Sequence, residues 1–130
     1  MESNKPFSIK DRVKSFMYAF NGLKLFLTTQ HNAWIHIVAA IVVVVLGFVL
    51  KVDRYEWCIF VFAIALVLVT EMLNTAIEFL CDKVSKEIHP AIKKVKDVSA
   101  AAVLIAAIAA VVVGLIVFVP KVLLLLPSHA

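Results

Sequence analysis

The residues best suited to chemistry sit in the segment 70–82, Thr-Glu-Met-Leu-Asn-Thr-Ala-Ile-Glu-Phe-Leu-Cys-Asp, at the end of a long apolar run. On a helix, Glu78 falls about 20° from Glu71, Asp82 about 20° to the other side, and Asn74 within about 60°. Four groups able to hold a hard cation, accept a proton or orient a polar substrate therefore share one stripe. A carboxylate at the centre of a membrane helix costs roughly 2.5–3.5 kcal/mol to insert. Glu71 lies deep enough to bear much of that cost, whereas Glu78 and Asp82 approach the helix end and bear less. The stripe must face protein, metal or water rather than lipid. The purely structural alternative makes Glu71 and Glu78 interhelical glue, hydrogen-bonded to Asn74 and Thr75. Four polar groups on one stripe beside a basic loop favour a site.

The elements that must position this stripe are membrane helices. The chain has 130 residues and is 63% hydrophobic, with mean hydropathy +1.00, against about 45–50% apolar residues in soluble domains. It reads as a single all-α membrane domain. Transmembrane helices are predicted over 33–50, 57–80 and 98–119, preceded by an amphipathic interfacial helix over 9–29 and a frayed 1–8. In the 9–29 segment Val13, Phe16, Met17, Phe20, Leu23, Phe26 and Leu27 recur at helical spacing among Lys10, Arg12, Lys14 and Lys24, the pattern of a basic helix in a membrane interface. Ser8 is the expected N-cap. The first span is short for a hydrocarbon core of about 30 Å. Three helices are too few to enclose a polar stripe, which predicts a homo-oligomer.

Five Lys or Arg precede the first span, two lie between the first and second, five between the second and third, and one follows the third. The positive-inside rule then puts the N-terminus and the 81–97 loop in the cytoplasm, where ATP is found. The net charge of +4 suits an anionic leaflet and requires no nucleic acid. Cys58 and Cys81 fall near opposite ends of one helix, so no intrachain disulfide is expected. The first thirty residues show no cleavable signal peptide.

Elsewhere the signals are weaker. His31 and His36 flank Trp34, an interface-belt residue; no metal-binding pair spacing occurs here. The 51–56 turn carries no evident chemistry. Pro90 can open a helix that continues into the third span, with Pro120 ending it and 122–126 forming an interfacial tail. The run Ser99-Ala-Ala-Ala reads as small-residue packing. Lys93 reads as topogenic, whereas Lys96 can pair phosphate oxygens and Asp97 can hold a divalent cation.

Carboxylates, an amide and a Lys-Asp pair at a membrane interface suit phosphoryl transfer from Mg-ATP to a lipid alcohol, which needs positioning, charge neutralisation and a base. With only Gly22, Gly47 and Gly114, neither GxxxxGK[ST] nor GxGxxG is possible. The pattern Glu71-x-x-Asn-Thr-Ala-Ile-Glu78-x-x-x-Asp82, then Glu87-x-His89 and Lys96-Asp97-x-x-Ala-Ala-Ala, resembles the small bacterial integral-membrane diacylglycerol kinase/undecaprenol kinase family. The resemblance runs from about Val13 to about Val113 and includes Tyr18-x-x-x-Gly22-Leu-Lys.

That resemblance implies a homotrimer in the bacterial inner membrane, with Mg²⁺ and ATP, phosphorylating diacylglycerol to phosphatidic acid or, alternatively, undecaprenol. It implies Glu71 as catalytic base, Asn74 as the orienting amide, Glu78 as a metal ligand and Lys96 on the phosphates with Asp97 beside it. Tyr18, Asp82, Glu87 and His89 match nucleotide-contacting positions. Gln30 stands where the family usually carries a second metal-binding Glu; its carbonyl can ligate Mg²⁺ without adding charge. Trp34 stands where many relatives have Arg, while Trp34-Ile-His36 is closer to the undecaprenol-type members. Two other classes remain: an inactive oligomer of this fold, marked by Gln30, and a channel or proton relay. The first must explain an intact Glu71–Asn74–Glu78 set, the second a Lys96/Asp97 pair it does not need.

Overall fold

The structure, a computed structural model, describes residues 8–84 and 89–125. Four helices follow one another: α1 (Ile9–Thr29), α2 (His31–Val49), α3 (Arg54–Val84) and α4 (Pro90–Leu125). No strand occurs among the described residues. The last three helices are long and apolar enough to cross a membrane, so the chain is an all-α, multi-pass membrane protein. Residues 1–7, expected to fray, lie outside the described residues.

Each helix end has a chemical cause. The Ser8 side chain accepts the Asp11 N–H at 3.4 Å and caps α1. Only Gln30 separates α1 from α2, and its backbone N–H closes α1 on the Phe26 carbonyl at 3.1 Å. Trp34 Nε1 reaches back across this corner to donate to the Leu27 carbonyl at 3.1 Å, filling one of the acceptors left open at a helix C-terminus. Phe26 and Ala33 are buried in the same corner.

The α2–α3 turn contains a reciprocal cap. Asp53 Oδ1 accepts from the Tyr55 and Glu56 N–H groups at 2.7 and 3.0 Å, and Glu56 Oε2 accepts from the Asp53 N–H at 2.7 Å. This is a capping box with Asp at the N-cap and Glu three residues on. Trp57 lies directly over Gly47, tilted by 51° against Phe48 at 4.9 Å between centroids and edge-on to Phe60 at 6.3 Å.

α3 packs most extensively on α4, and the two run antiparallel. Near the start of α3, Phe60 meets Phe118 at 4.9 Å and Glu56 Oε2 meets Lys121 Nζ at 2.9 Å. At the other end Asp82 meets Lys96. One ion pair marks each end of the α3–α4 seam.

Pro120 does not end α4; the helix continues to Leu125, taking in most of the expected 122–126 tail. An interior Pro forfeits one backbone hydrogen bond and costs about 3 kcal/mol in water. In lipid, leaving the helix would expose several more backbone groups that nothing can satisfy. The adjacent Lys121 also holds this turn to Glu56. The 51–56 turn, for which the sequence suggested no role, thereby anchors the end of α4.

Candidate active site

The polar stripe of α3 is brought against the first turns of α4. With Trp57 taken as the membrane boundary, Glu71 lies about 21 Å up the helix and Glu78 about 31 Å. Glu71 is thus inside a hydrocarbon core of about 30 Å, near its far edge, and Glu78 sits at that edge.

Glu71, Asn74 and Thr75 are 3%, 9% and 4% exposed within a single chain, and Ser99 on α4 is 8% exposed. The expectation that a lone subunit leaves this stripe facing lipid is therefore corrected for its inner half: Glu71 and Asn74 are buried within one chain, Asn74 against Ser99 of α4. Its small residues allow that approach, with Ser99 and Ala106 buried on this side. Only Glu78, half-buried, and Asp82, exposed, open outward.

A chain of hydrogen bonds links the helices. Ser99 Oγ donates to Asn74 Oδ1 at 2.6 Å, and Asn74 Nδ2 donates to Glu78 Oε1 at 3.1 Å. Lys96 Nζ, one turn before Ser99, forms an ion pair with Asp82 Oδ1 at 2.6 Å. Asn74, Glu78, Asp82, Lys96 and Ser99 are so joined across the α3–α4 seam. Glu71 makes no hydrogen bond or ion pair among the described residues, and Thr75 Oγ1 is buried without a partner. Of the bonds that the purely structural alternative called for, the one from Asn74 to Glu78 is present and one from Thr75 to a glutamate is not.

Lys96 and Asp97 do not act as a pair. Successive helical residues point about 100° apart; Lys96 turns to α3, while Asp97 turns to Lys93 on its own helix, at 2.6 Å. Lys93, read from sequence as topogenic, is the residue that holds Asp97. His89 caps α4: its carbonyl accepts from the Lys93 N–H at 3.0 Å and its Nδ1 from the Ala91 N–H at 3.2 Å. Tyr18 is exposed on α1. The Gln30 side chain makes no hydrogen bond among the described residues, and its backbone serves the α1–α2 corner. Glu87 lies outside the described residues.

No group of three or more His, Cys, Asp or Glu gathers among the described residues. Glu78 offers one carboxylate oxygen not taken by Asn74. This suits Mg²⁺ held by one or two carboxylates together with substrate phosphates, rather than an all-protein cage.

Directly below Glu71 an apolar groove of about 340 Å³ opens between α2, α3 and α4. Val67 and Leu68, one turn before Glu71, line one end, and Leu46 and Phe118 the other.

Sequence reasoning passed over Ser99 because it opens an Ala-rich run. The available signal was its position three residues after Lys96, on the same helical face.

A buried, unpartnered carboxyl lies between an apolar groove and a cluster of polar groups at a membrane edge. Together these define a membrane-embedded enzyme that brings a water-soluble reactant to an amphiphile. Comparison with known proteins gives the class. The prokaryotic diacylglycerol kinase family matches residues 17–118. The chain is 36% identical over 108 residues to an undecaprenol kinase of Bacillus subtilis, covering 83% of this chain and 88% of that one. It is 33% identical over 100 residues to a diacylglycerol kinase of Escherichia coli, covering 77% and 82%. It is also 36% identical over 113 residues to a diacylglycerol kinase of Synechocystis, covering 86% of this chain and 65% of that one. The chain belongs to the prokaryotic diacylglycerol kinase family and is a lipid kinase of that family. Membership implies ATP as co-substrate.

Proposed function

We propose that this protein transfers the γ-phosphate of Mg-ATP to the hydroxyl of diacylglycerol, giving phosphatidic acid. The observation that carries this reading is Glu71: a buried carboxyl with no partner among the described residues, one turn from an apolar groove, one turn from Asn74 and two from Glu78. A lipid with its chain in the groove would bring its hydroxyl to the level of Glu71. Glu71 takes the hydroxyl proton, the lipid oxygen attacks the γ-phosphorus, and the bond to the ADP oxygen breaks. Lys96 neutralises phosphate charge, and Asn74 orients the reacting groups. Bound at Glu78, with Gln30 as a further oxygen donor, Mg²⁺ would neutralise charge on the transferring phosphate. Tyr18, Asp82, Glu87, His89 and Asp97 complete the nucleotide side.

The site works at the cytoplasmic face of the inner membrane, with the N-terminus and the 81–97 loop on that side, as the lysine distribution favours. The assembly is a homotrimer. Its support is the family resemblance, because the stripe argument for an oligomer does not survive the burial of Glu71 within one chain.

A second acceptor is favoured by a specific observation. The relative from Bacillus subtilis is an undecaprenol kinase, and apart from His36 the groove is lined by apolar residues, which suits a long hydrocarbon chain. The deciding experiment offers each lipid separately in mixed micelles with labelled ATP and Mg²⁺. Faster transfer to diacylglycerol supports the first reading. Faster transfer to undecaprenol replaces it with the second. Transfer to neither rejects both and favours an inactive oligomer.

A further inference from the structure

We propose that Ser99 is a positioning residue that makes Asn74 a hydrogen-bond donor in the active site and keeps its carbonyl oxygen from acting as a metal ligand. The inference rests on the proposed function for its consequence, but not for its geometry.

Asn74 Oδ1 carries no proton, so its 2.6 Å contact with Ser99 Oγ requires the serine proton to lie between them. Ser99 Oγ also lies 2.9 Å from the Lys96 carbonyl of its own helix. A serine within a helix ordinarily spends its proton on such a carbonyl. Here the single proton goes to the shorter contact across the seam, and the Lys96 carbonyl keeps its own backbone role. With Oδ1 occupied, the amide has one orientation, Nδ2 toward Glu78 Oε1 at 3.1 Å. The reverse orientation would return the Ser99 proton to the Lys96 carbonyl, but it would set two acceptor oxygens, Asn74 Oδ1 and Glu78 Oε1, against each other at that distance. Donors therefore run in one direction, Ser99 to Asn74 to Glu78, inside a seam where all but Glu78 are buried.

This has a chemical consequence. An Asn carbonyl is a competent Mg²⁺ ligand. Ser99 removes that option, so Asn74 steadies one Glu78 oxygen and leaves the other to the cation. Without the hydroxyl, Oδ1 is a buried acceptor with no donor and is free to rotate toward the cation. Supporting groups of this kind typically change activity about 10–100-fold when removed.

The test uses Ser99→Ala, Ser99→Thr, Asn74→Ala and the double variant Ser99→Ala/Asn74→Ala in mixed micelles. Two readouts are taken: kcat with Mg-ATP, and the side-chain amide resonances of asparagine-labelled protein, with Asn74→Ala identifying the Asn74 pair. The expected result is a drop of about tenfold or more in kcat for Ser99→Ala, recovery in Ser99→Thr, and a double variant no slower than Asn74→Ala alone. The Asn74 amide pair should shift in Ser99→Ala and return in Ser99→Thr without any nucleotide present. Independent, multiplicative losses in the double variant, or an Asn74 resonance unchanged in Ser99→Ala, would overturn the proposal. A wild-type protein that phosphorylates neither lipid would reject the proposed function, and the resonances would still decide the orientation of Asn74.

Discussion

Lys96 on α4 and Asp82 on α3 meet at 2.6 Å across the seam, although 14 residues separate them in sequence. The pair joins the two helices at the end of the molecule where the nucleotide is proposed to bind. Both side chains are substantially open to solvent, so the contact contributes little to stability and is available for exchange when phosphate arrives.

Lys96→Met and Asp82→Asn should therefore differ. The lysine variant should raise the ATP KM about tenfold or more through loss of a charge-assisted contact. The asparagine variant should leave the unfolding midpoint unchanged and alter the ATP KM less. Thermal unfolding and ATP titrations check both; a large stability loss in Asp82→Asn would show the pair to be structural.

Gly47→Ala should destabilise the protein. A Cβ there would sit 2.6 Å from Trp57 Cη2 and 2.9 Å from Cζ2. The ring cannot retreat freely, because Phe48 and Phe60 bracket it. Overpacking of this kind costs about 1–3 kcal/mol, more than the roughly 1 kcal/mol that Ala gains over Gly in a helix. Denaturation in detergent, with Trp fluorescence as the probe, measures the net effect.

The capping box predicts an acid dependence. The Glu56 backbone N–H, with some further help from that of Tyr55 and from Lys121 and Arg54, holds the Asp53 carboxyl below its ordinary value of 3.8. A group depressed in the folded state stabilises fully above its unfolded value and loses that contribution as pH falls through the folded value. Asp53→Ala should thus lower the unfolding midpoint at neutral pH, and the difference should shrink on acidification below 3.8. A difference independent of pH would contradict the charged cap.

Thr75→Val should stabilise. Thr75 Oγ1 is buried with no hydrogen-bond partner, and such an oxygen costs about 1–3 kcal/mol. Valine keeps the shape and removes the cost. A higher unfolding midpoint with activity retained is the expected outcome. A loss of activity would mean that the hydroxyl is engaged during the reaction.

Much of this molecule is legible in its sequence, for a physical reason. The core of a bilayer leaves helices as the only choice for long apolar runs, and the period that sets Glu71, Asn74 and Glu78 on one stripe is the helix's own. Ser8 and Pro90 mark helix starts because capping and proline chemistry are local. What the sequence hides is what crosses between helices. The partners of Lys96 and Asp97 depend on how α4 rotates against α3, and spacing alone does not set that rotation. The same holds for Ser99, whose hydroxyl looks like packing until Asn74 is opposite it. Pro120 misleads because the soluble-protein cost of proline is offset in lipid by the larger cost of ending a helix.

The central claim is that Glu71 removes the proton from the lipid hydroxyl. Glu71→Gln keeps the shape and removes the base, so the most direct measurement is kcat for lipid phosphorylation by this variant, with ATP binding measured alongside. A base of this kind is typically worth about 10²–10⁴-fold. A loss of that size in kcat with ATP affinity retained is the expected result. A Glu71→Gln protein that turns over at the wild-type rate would contradict it.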